Sequence, residues 1–324
     1  MTKMFTSETE FEKHFKLGKE LGHGAYSTVK LAIEVSTKDE VAIKCVVKKK
    51  MTPDDEAALK VEVSILQEVH HPGIIKLLAY YEEPKNHYLV LELMSGGELF
   101  ARIVEKEVYS EKDAIVVVKT IAEVLHYLHS RGIVHRDLKP ENVLLKDKSE
   151  NAQIKIADFG FARHVKDGCL TACGTPGYVA PEIISGKVYQ TQCDNWSLGV
   201  LAYILLCGYP PFYAKNRQDL FKYIRHAKYA FDSPYWDIVS SSAKDLISKC
   251  LVVDVRQRYT AKDILNHPWV KGEIQINKDL NANIHALKMF NARRHLRAAV
   301  KAAIWANRVH EIAESFKVKI SIKS

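Results

Sequence analysis

The chain has 324 residues, of which 47% are hydrophobic and 27% charged, a composition typical of a globular protein with a large apolar core. It excludes a low-complexity chain, and no apolar run approaches the length of a membrane span. The formal net charge of +8 lies mostly in a late segment, because no acidic residue occurs between Asp279 and Glu311. This concentration favours one acidic partner at the tail over a generally basic surface.

Two further features of the sequence bear on the compartment. The first ten residues lack an apolar signal region, and position 2 is not the glycine that myristoylation requires. The six cysteines show neither metal-ligand spacing nor a compact disulfide framework, which indicates reduced thiols. We therefore expect a soluble intracellular protein, located in the cytoplasm and, as a second compartment, the nucleus.

The first predicted elements are strands. From Phe15 to about Glu92 the sequence has the two-residue period and β-branched content of a sheet, interrupted by a helical stretch from Ala57 to Val69. Within this sheet a glycine-containing loop follows a strand and can bring backbone N–H groups close to phosphates. The loop consists of Leu21, Gly22, His23, Gly24, Ala25, Tyr26, Ser27, Thr28 and Val29. Ser27 takes the place of the usual third glycine, so a simple tight turn remains an alternative.

A lysine follows on an apolar strand. Lys44 ends the run Val-Ala-Ile-Lys, and an ammonium facing inward there needs a carboxylate and phosphates to compensate its charge. Glu62 is the predicted partner, since it precedes core-facing positions of the next helix. Glu68 on the same helix is the competing choice.

Beyond Gly96 and Gly97 the pattern becomes helical. Ser110 and Asp113 have the spacing of a capping box, and the following helix carries one apolar stripe. A nearly all-apolar helix from Asp194 to Cys207 must lie buried, and the last compact element ends near Val270. These patterns predict a second, larger and mainly α lobe.

The run Val-His-Arg-Asp-Leu-Lys-Pro-Glu-Asn at 134–142, followed by Asp-Phe-Gly at 158–160, carries the chemistry. It supplies a base, Asp137, and two metal ligands, Asn142 and Asp158, which indicates phosphoryl transfer. A lone triplet of this kind is usually a turn. The ordered set, however, extends from the glycine loop to Ala-Pro-Glu at 180–182.

From Phe15 to Val270 the chain therefore resembles the eukaryotic protein kinases. The resemblance implies an α+β bilobal fold with a small lobe at about 15–94 and a large lobe at about 95–270. It further implies that Asp137 orients the substrate hydroxyl, that Lys139 steadies the transferred phosphoryl group and that Asn142 and Asp158 hold Mg²⁺. ATP binding is assigned to the glycine loop together with Lys44, Glu92 and Met94. A catalytically silent relative is the alternative, and the intact catalytic positions argue against it.

Two acidic residues suggest the substrate class. Glu98 and Glu141 lie where basophilic kinases contact basic residues ahead of the acceptor, so we expect substrates with upstream Arg or Lys, in particular Arg three residues before the acceptor. The alternative for Glu98 is that it simply begins the next helix and favours its dipole.

The segment between Asp158 and Glu182 contains a candidate switch. Phosphate on Thr171, added by an upstream activating kinase, would gain charge-assisted hydrogen bonds from Arg136 and Arg163 and order the loop. An unmodified hydroxyl in an ordered loop is the alternative. Thr175 is expected to support the catalytic loop instead.

The late basic segment from Phe290 to Trp305 is predicted to be an amphipathic helix that binds calcium-loaded calmodulin. Its predicted contacts are Phe290, Arg293, Arg294, Leu296, Arg297, Val300 and Trp305. This core is similar to the regulatory segment of calcium/calmodulin-dependent kinases, and the activation segment resembles their type I branch. Asn283 occupies the position of the autophosphorylated threonine of type II enzymes. A membrane-surface helix or a packed terminal helix is the alternative.

The sequence thus predicts a calcium/calmodulin-regulated serine/threonine kinase that uses ATP and Mg²⁺, with residues 271–324 as an autoinhibitory segment. A kinase with its own calcium-binding loops is the enzymatic rival, but no Asp-x-Asp-x-Asp-Gly loop follows residue 270. A catalytically silent calmodulin-binding scaffold is the non-enzymatic rival. Nucleic acid is not expected as a partner, because the tail has few aromatic residues for base stacking.

Overall fold

The computed structural model describes residues 10–23, 27–106, 109–165, 168–171, 173–273, 280–297 and 299–300. Its first part is a small lobe built on a five-stranded antiparallel sheet with the order β1-β2-β3-β5-β4. The strands are β1 (Phe15–His23), β2 (Ser27–Glu34), β3 (Glu40–Val47), β4 (Leu77–Glu82) and β5 (Asn86–Glu92). Two helices accompany them, α1 (Glu10–His14) and α2 (Pro53–Glu68).

Helix α2 begins four residues before the predicted start at Ala57. Thr52 caps it by accepting a hydrogen bond from the Asp55 backbone N–H, while the Asp55 carboxylate accepts one from the Thr52 backbone. Pro53 occupies the first helical position, where its missing N–H costs nothing. The capping box therefore sets the helix start, and the apolar periodicity appears only one turn later.

The large lobe is mainly helical, as predicted. Its helices are α3 (Leu99–Glu105), α4 (Glu111–Ser130), α5 (Pro181–Ile184), α6 (Gln192–Cys207), α7 (Arg217–Arg225), α8 (Ser241–Cys250), α9 (Ala261–Asn266) and α10 (Pro268–Lys271). Short strands hold the loops between them, namely β6 (Gly97–Glu98), β7 (Ile133–Val134), β8 (Val143–Leu145), β9 (Ile154–Ile156) and β10 (Arg163–His164). Short 3₁₀ turns occur at Lys48–Lys50 and Pro140–Asn142.

Helices α4 and α6 form the centre of the large lobe. The predicted capping box of Ser110 and Asp113 begins α4, whose buried stripe packs on α6. Every residue of α6 from Cys193 to Cys207 is buried, which explains its nearly uninterrupted apolar sequence. The α+β bilobal fold expected from the resemblance is thus confirmed.

The apolar core continues beyond α10. Residues 281–297 and 299–300 are helical, and we call these residues together with Leu280 the tail helix. Leu280, Ile284 and Leu287 are buried in the same core as α4 and α6. Gly208, at the end of α6 with φ of +84°, lies directly under the tail helix, where a Cβ would clash with the Leu287 backbone. Burial of each leucine contributes about 2 kcal/mol, which anchors the start of the tail helix.

Candidate active site

Polar side chains of the catalytic loop and of the activation segment contact one carboxylate, that of Asp137. Asp137 is almost fully buried; one of its oxygens accepts a hydrogen bond from Thr175 Oγ1 at 2.8 Å, and the other is paired with the Lys139 ammonium. Asn142 donates its side-chain N–H to the Asp137 backbone carbonyl at 2.8 Å. These contacts fix one orientation of the Asp137 carboxylate, and they place Thr175 beside the catalytic loop as predicted.

The loop is anchored by a residue whose role the sequence did not indicate. Asp194, fully buried on α6, accepts hydrogen bonds from the backbone N–H groups of His135 and Arg136 at 2.9 and 2.8 Å. It also pairs with His129 Nε2 at 2.9 Å. Burial raises the pKa of Asp194, but the His129 hydrogen bond and nearby histidines outweigh it, so the net pKa is lowered. Arg136 has φ of +70°, a strained conformation that these hydrogen bonds maintain.

Lys44 has the predicted partner. Its Nζ lies 2.6 Å from Glu62 Oε1 and 4.0 Å from Asp158 Oδ1, whereas Glu68 contacts His164 at 3.2 Å. Burial lowers the pKa of Lys44, but the Glu62 and Asp158 carboxylates raise it further, so the ammonium stays charged. The choice of Glu62 over Glu68 agrees with its position on the buried face of α2.

The site offers two oxygen donors suited to a hard divalent cation. Burial raises the pKa of Asp158, but Lys44, Lys139 and His135 lower it more strongly, so the carboxylate is ionised. The Asp158 side chain is 44% exposed. The Asn142 amide oxygen accepts no hydrogen bond from the described residues. Hard oxygen ligands of this kind fit Mg²⁺, and both belong to the predicted pair.

The predicted ATP-binding residues that the structure describes lie in or next to the sheet that contains the Lys44 strand, β3. Leu21, Gly22 and His23 end β1, and residues 27–29 begin β2, with Val29 opposite Lys44 in the sheet. The predicted residues Gly24, Ala25 and Tyr26 lie outside the described part of the chain. Two further predicted residues, Glu92 and Met94, lie at and just beyond the end of β5, where the chain passes between the lobes.

The Glu92 side chain is engaged in a structural contact. Its Oε1 accepts hydrogen bonds from Lys155 Nζ at 2.6 Å and from the Lys76 backbone N–H at 2.7 Å. The carboxylate therefore ties β5 to β9. Met94 is half-buried against the core.

The activation segment places its candidate phosphosite outward. Thr171 is exposed, and its backbone carbonyl accepts a hydrogen bond from Tyr189 OH at 2.7 Å. The same hydroxyl accepts a hydrogen bond from Arg136 Nη1 at 2.9 Å. Arg163 is half-buried, and both burial and the neighbouring Arg136 lower its pKa. The two predicted guanidinium groups thus lie close enough to influence each other, and Tyr189 links Arg136 to the Thr171 backbone.

The two predicted substrate-binding carboxylates already share a cation from the tail helix. Arg294 Nη1 lies 3.2 Å from Glu141 Oε1, and Arg294 Nη2 is paired with Glu98 Oε2. The Arg294 side chain is only 10% exposed, whereas Arg293 and Arg297 are exposed. The sequence grouped these three arginines as calmodulin contacts; the structure separates Arg294 from the other two.

The remaining predicted calmodulin contacts differ in their exposure to solvent. Leu296 is 65% exposed and Val300 is 49% exposed, although both are large and apolar. Phe290 is half-buried against the core. Trp305 lies outside the described residues. The outer face of the tail helix therefore presents apolar side chains to solvent.

Asn283 has a structural role that its sequence position did not reveal. It is buried, and its side-chain amide donates hydrogen bonds to the carbonyls of Leu206 and Tyr235 at 2.8 and 2.9 Å. It thus fastens the tail helix to the end of α6, where a hydroxyl of similar size could not donate twice.

Comparison with known proteins shows related sequences over most of the chain. The family described as "Protein kinase domain" matches residues 15–270. Myosin light chain kinase A from Dictyostelium discoideum is 47% identical over 87% of this chain and 94% of its own length. Calcium/calmodulin-dependent protein kinase type 1 from Macrobrachium nipponense is 46% identical over 87% of this chain and 82% of its own. The type 1B enzyme from Rattus norvegicus is 42% identical over 93% and 88%.

A bilayer-crossing segment was also sought in the described part of the chain. None of its helices is both long and apolar enough to span a membrane.

Proposed function

The chain belongs to the calcium/calmodulin-dependent family of serine/threonine protein kinases, and from this premise we propose that its tail helix inhibits it by occupying the site for a basic substrate. As a protein kinase the chain takes ATP as phosphate donor and needs a divalent metal, which we propose to be Mg²⁺. The observation that carries the proposal is the contact of Arg294 with Glu98 and Glu141. Substrates with Arg upstream of the acceptor would need the same two carboxylates.

For the chemical step, we assign the substrate hydroxyl to Asp137. Its carboxylate is oriented by Thr175 and can accept the hydroxyl proton. Lys139 is positioned beside that carboxylate, where its ammonium would stabilise charge on the transferred phosphoryl group. Lys44, held by Glu62, would orient the donor phosphates. Each of these groups is fixed before substrate arrives, which reduces the reorganisation needed in the transition state.

The metal would be held by Asn142 and Asp158. When bound, Mg²⁺ supplies positive charge that stabilises the phosphate oxygens. The residues of the chain contribute an ionised carboxylate at Asp158 and an amide oxygen at Asn142. Glycine-loop residues of β1 and β2 would cover the nucleotide, with Val29 placed beside Lys44.

The charge balance of the substrate site supports autoinhibition. Glu98 and Glu141 are both partly exposed, and without a cation their like charges would repel. Arg294 offsets one of the two negative charges and lies between the carboxylates. Although burial lowers the pKa of Arg294, hydrogen bonds and charges from Glu98 and Glu141 raise it further. A substrate arginine would have to displace a guanidinium that is already nearly desolvated.

The test is Arg294→Ala, with Lys288→Ala as control because it removes a cation from an exposed position of the same helix. Leu280, Ile284 and Leu287 keep the tail anchored in both variants. We expect Arg294→Ala to raise calcium-independent phosphorylation of a peptide with Arg three residues upstream by about tenfold, equivalent to about 1.4 kcal/mol. Unchanged calcium-independent activity in Arg294→Ala would refute the proposal.

We propose that calcium-loaded calmodulin relieves this inhibition. Leu296 and Val300 are exposed apolar anchors on the outer face of the tail helix, and Arg293 and Arg297 supply nearby charge. Calmodulin that captured these side chains would draw Arg294 away from Glu98 and Glu141. The names of the type 1 relatives support this partner.

We further propose that phosphorylation of Thr171 by an upstream kinase stimulates activity. Support comes from the exposure of Thr171 and from Arg136 and Arg163, which lie close together and form no ion pair with a carboxylate of the described residues. Thr171→Ala should lose stimulation by an activating kinase, measured as peptide phosphorylation with calcium and calmodulin present. Thr120→Ala, which alters a partly buried threonine on α4, is the control. Equal stimulation of wild type and Thr171→Ala would end this part of the proposal.

A further inference from the structure

A second cluster of ligand-type side chains lies in the small lobe, away from the catalytic loop. It comprises Glu56 in the first turn of α2, Glu82 at the end of β4 and His87 on β5. Glu82 and His87 are directly opposite each other in the β4–β5 pair. One ligand atom from each of the three side chains can be chosen so that all lie within 4.8 Å of one another.

The decisive member of the cluster is His87. Its side chain is fully buried, its Nδ1 is 2.8 Å from Tyr80 OH, and its Nε2 has no hydrogen-bond partner among the residues that the structure describes. A buried polar nitrogen without a partner costs free energy, so it calls for an explanation. Either ring nitrogen of a neutral histidine can bind a metal ion, and Nε2 is the one that makes no hydrogen bond within the described residues.

One tautomer of His87 leaves Nε2 unprotonated. When Nδ1 carries the ring proton, it donates a hydrogen bond to the Tyr80 oxygen, 2.8 Å away, and Nε2 keeps a free lone pair. This is the outer-shell arrangement found around metal-bound histidines.

We propose that Glu56, Glu82 and His87 form a binding site for a Zn²⁺-class divalent cation. One imidazole nitrogen and two carboxylate oxygens suit Zn²⁺, with water as a fourth ligand, whereas Mg²⁺ prefers oxygen ligands alone. Tetrahedral Zn²⁺ with bonds of about 2.0 Å needs ligand atoms about 3.3 Å apart, so the side chains must close by roughly 1.5 Å at most. Glu56 and Glu82 have exposed side chains that can make this movement.

Two lysines compete with the metal. Lys48 Nζ lies 2.9 Å from Glu82 Oε1, and Lys60 Nζ lies 3.2 Å from Glu56 Oε1. They hold the carboxylates near His87 in the absence of a cation, and they must partly yield when it binds. Removal of Lys48 should therefore strengthen metal binding, an effect that a purely structural cluster would not produce.

Metal at this site would join α2 to the β4–β5 hairpin. Because α2 also carries Glu62, the cation would restrain the helix that positions Lys44. The inference concerns binding and is independent of how the tail helix acts.

The experiment titrates the full chain with Zn²⁺ alone, in buffer without ATP or Mg²⁺, by calorimetry and by competition with a chromogenic chelator. Wild type should show one binding event that Glu82→Gln and His87→Gln each weaken at least tenfold and Lys48→Gln strengthens. Glu150→Gln, an exposed carboxylate in the large lobe, is the matched control and should bind as wild type does.

Unfolding midpoints without metal show whether His87→Gln is folded, and Glu82→Gln, altered at an exposed side chain, keeps the test valid if it is not. The proposal is overturned if no Zn²⁺ binds, or if Glu82→Gln and the double variant Glu56→Gln/Glu82→Gln bind it with wild-type affinity.

Discussion

The catalytic loop and the acidic substrate surface lie close together but are held in opposite ways. Backbone N–H groups of His135 and Arg136 are bound to Asp194, which is completely buried. Glu98 and Glu141, by contrast, are partly exposed, and their carboxylates pair with side chains of the tail helix, Arg294 at both and His295 at Glu98.

The catalytic loop therefore has a fixed geometry, whereas the Arg294 contact that covers Glu98 and Glu141 can be removed. A loop anchored through its backbone to a buried carboxylate cannot move without disrupting the core. A side-chain contact at the rim can be exchanged for another cation at modest cost. We therefore infer that this chain is regulated at its substrate surface, whereas its reacting groups stay in place.

The largest expected effect is on the reacting carboxylate itself. Asp137→Asn should lower kcat by about a thousandfold, since a neutral amide cannot accept the substrate proton. KM for ATP should change little, because Lys44, Asn142 and Asp158 are untouched. Steady-state kinetics measure both values, and an unchanged unfolding midpoint confirms the fold. A kcat within tenfold of wild type would remove Asp137 from its assigned role.

The second-largest expected effect concerns Asp194, which anchors the catalytic loop. Asp194→Asn replaces one carboxylate oxygen by an amide NH₂ group, which would face backbone N–H donors in a buried site. The substitution should lower the free energy of unfolding by about 3 kcal/mol. Asp245→Asn is the matched control, because Asp245 also pairs with a histidine, His267, at 3.0 Å but is 53% exposed. We expect less than about 1 kcal/mol there, measured by urea unfolding. Similar losses in both variants would contradict the distinction drawn above.

The smallest expected effect concerns Glu98 on the acidic substrate surface. Glu98→Lys should raise KM about tenfold for a peptide with Arg three residues upstream, through lost attraction and added repulsion. A peptide with Ala at that position should be affected much less. Glu105→Lys, at the exposed far end of helix α3, which begins directly after Glu98, serves as control. If the preference for the Arg peptide is unchanged in Glu98→Lys, Glu98 does not bind the substrate.

Much of this molecule could be predicted from sequence because its motifs are local. The glycine loop, the catalytic run and the apolar periods predict the two lobes, and periodicity correctly selects Glu62 over Glu68. The start of α2 was predicted late, because Thr52 and Pro53 lie outside the apolar period.

Other features depend on the tertiary structure and carry no local signal. The only sequence signal for the anchoring role of Asp194 was that a charged residue stands in a nearly all-apolar helix. Its hydrogen-bond partners, His129 and the backbone of His135, come from two distant segments. Arg294 could not be told from Arg293 and Arg297, because only the docked helix shows which arginine faces Glu98. Asn283 likewise reveals its function only through carbonyls far along the chain.

The most direct test of the account is phosphate transfer from Mg·ATP to a serine peptide with Arg three residues upstream. The full chain, treated with an activating kinase, would be assayed with and without calcium and calmodulin. The account predicts strong transfer only when both are present. Equal transfer in the two conditions would leave the kinase intact but contradict inhibition by the tail helix.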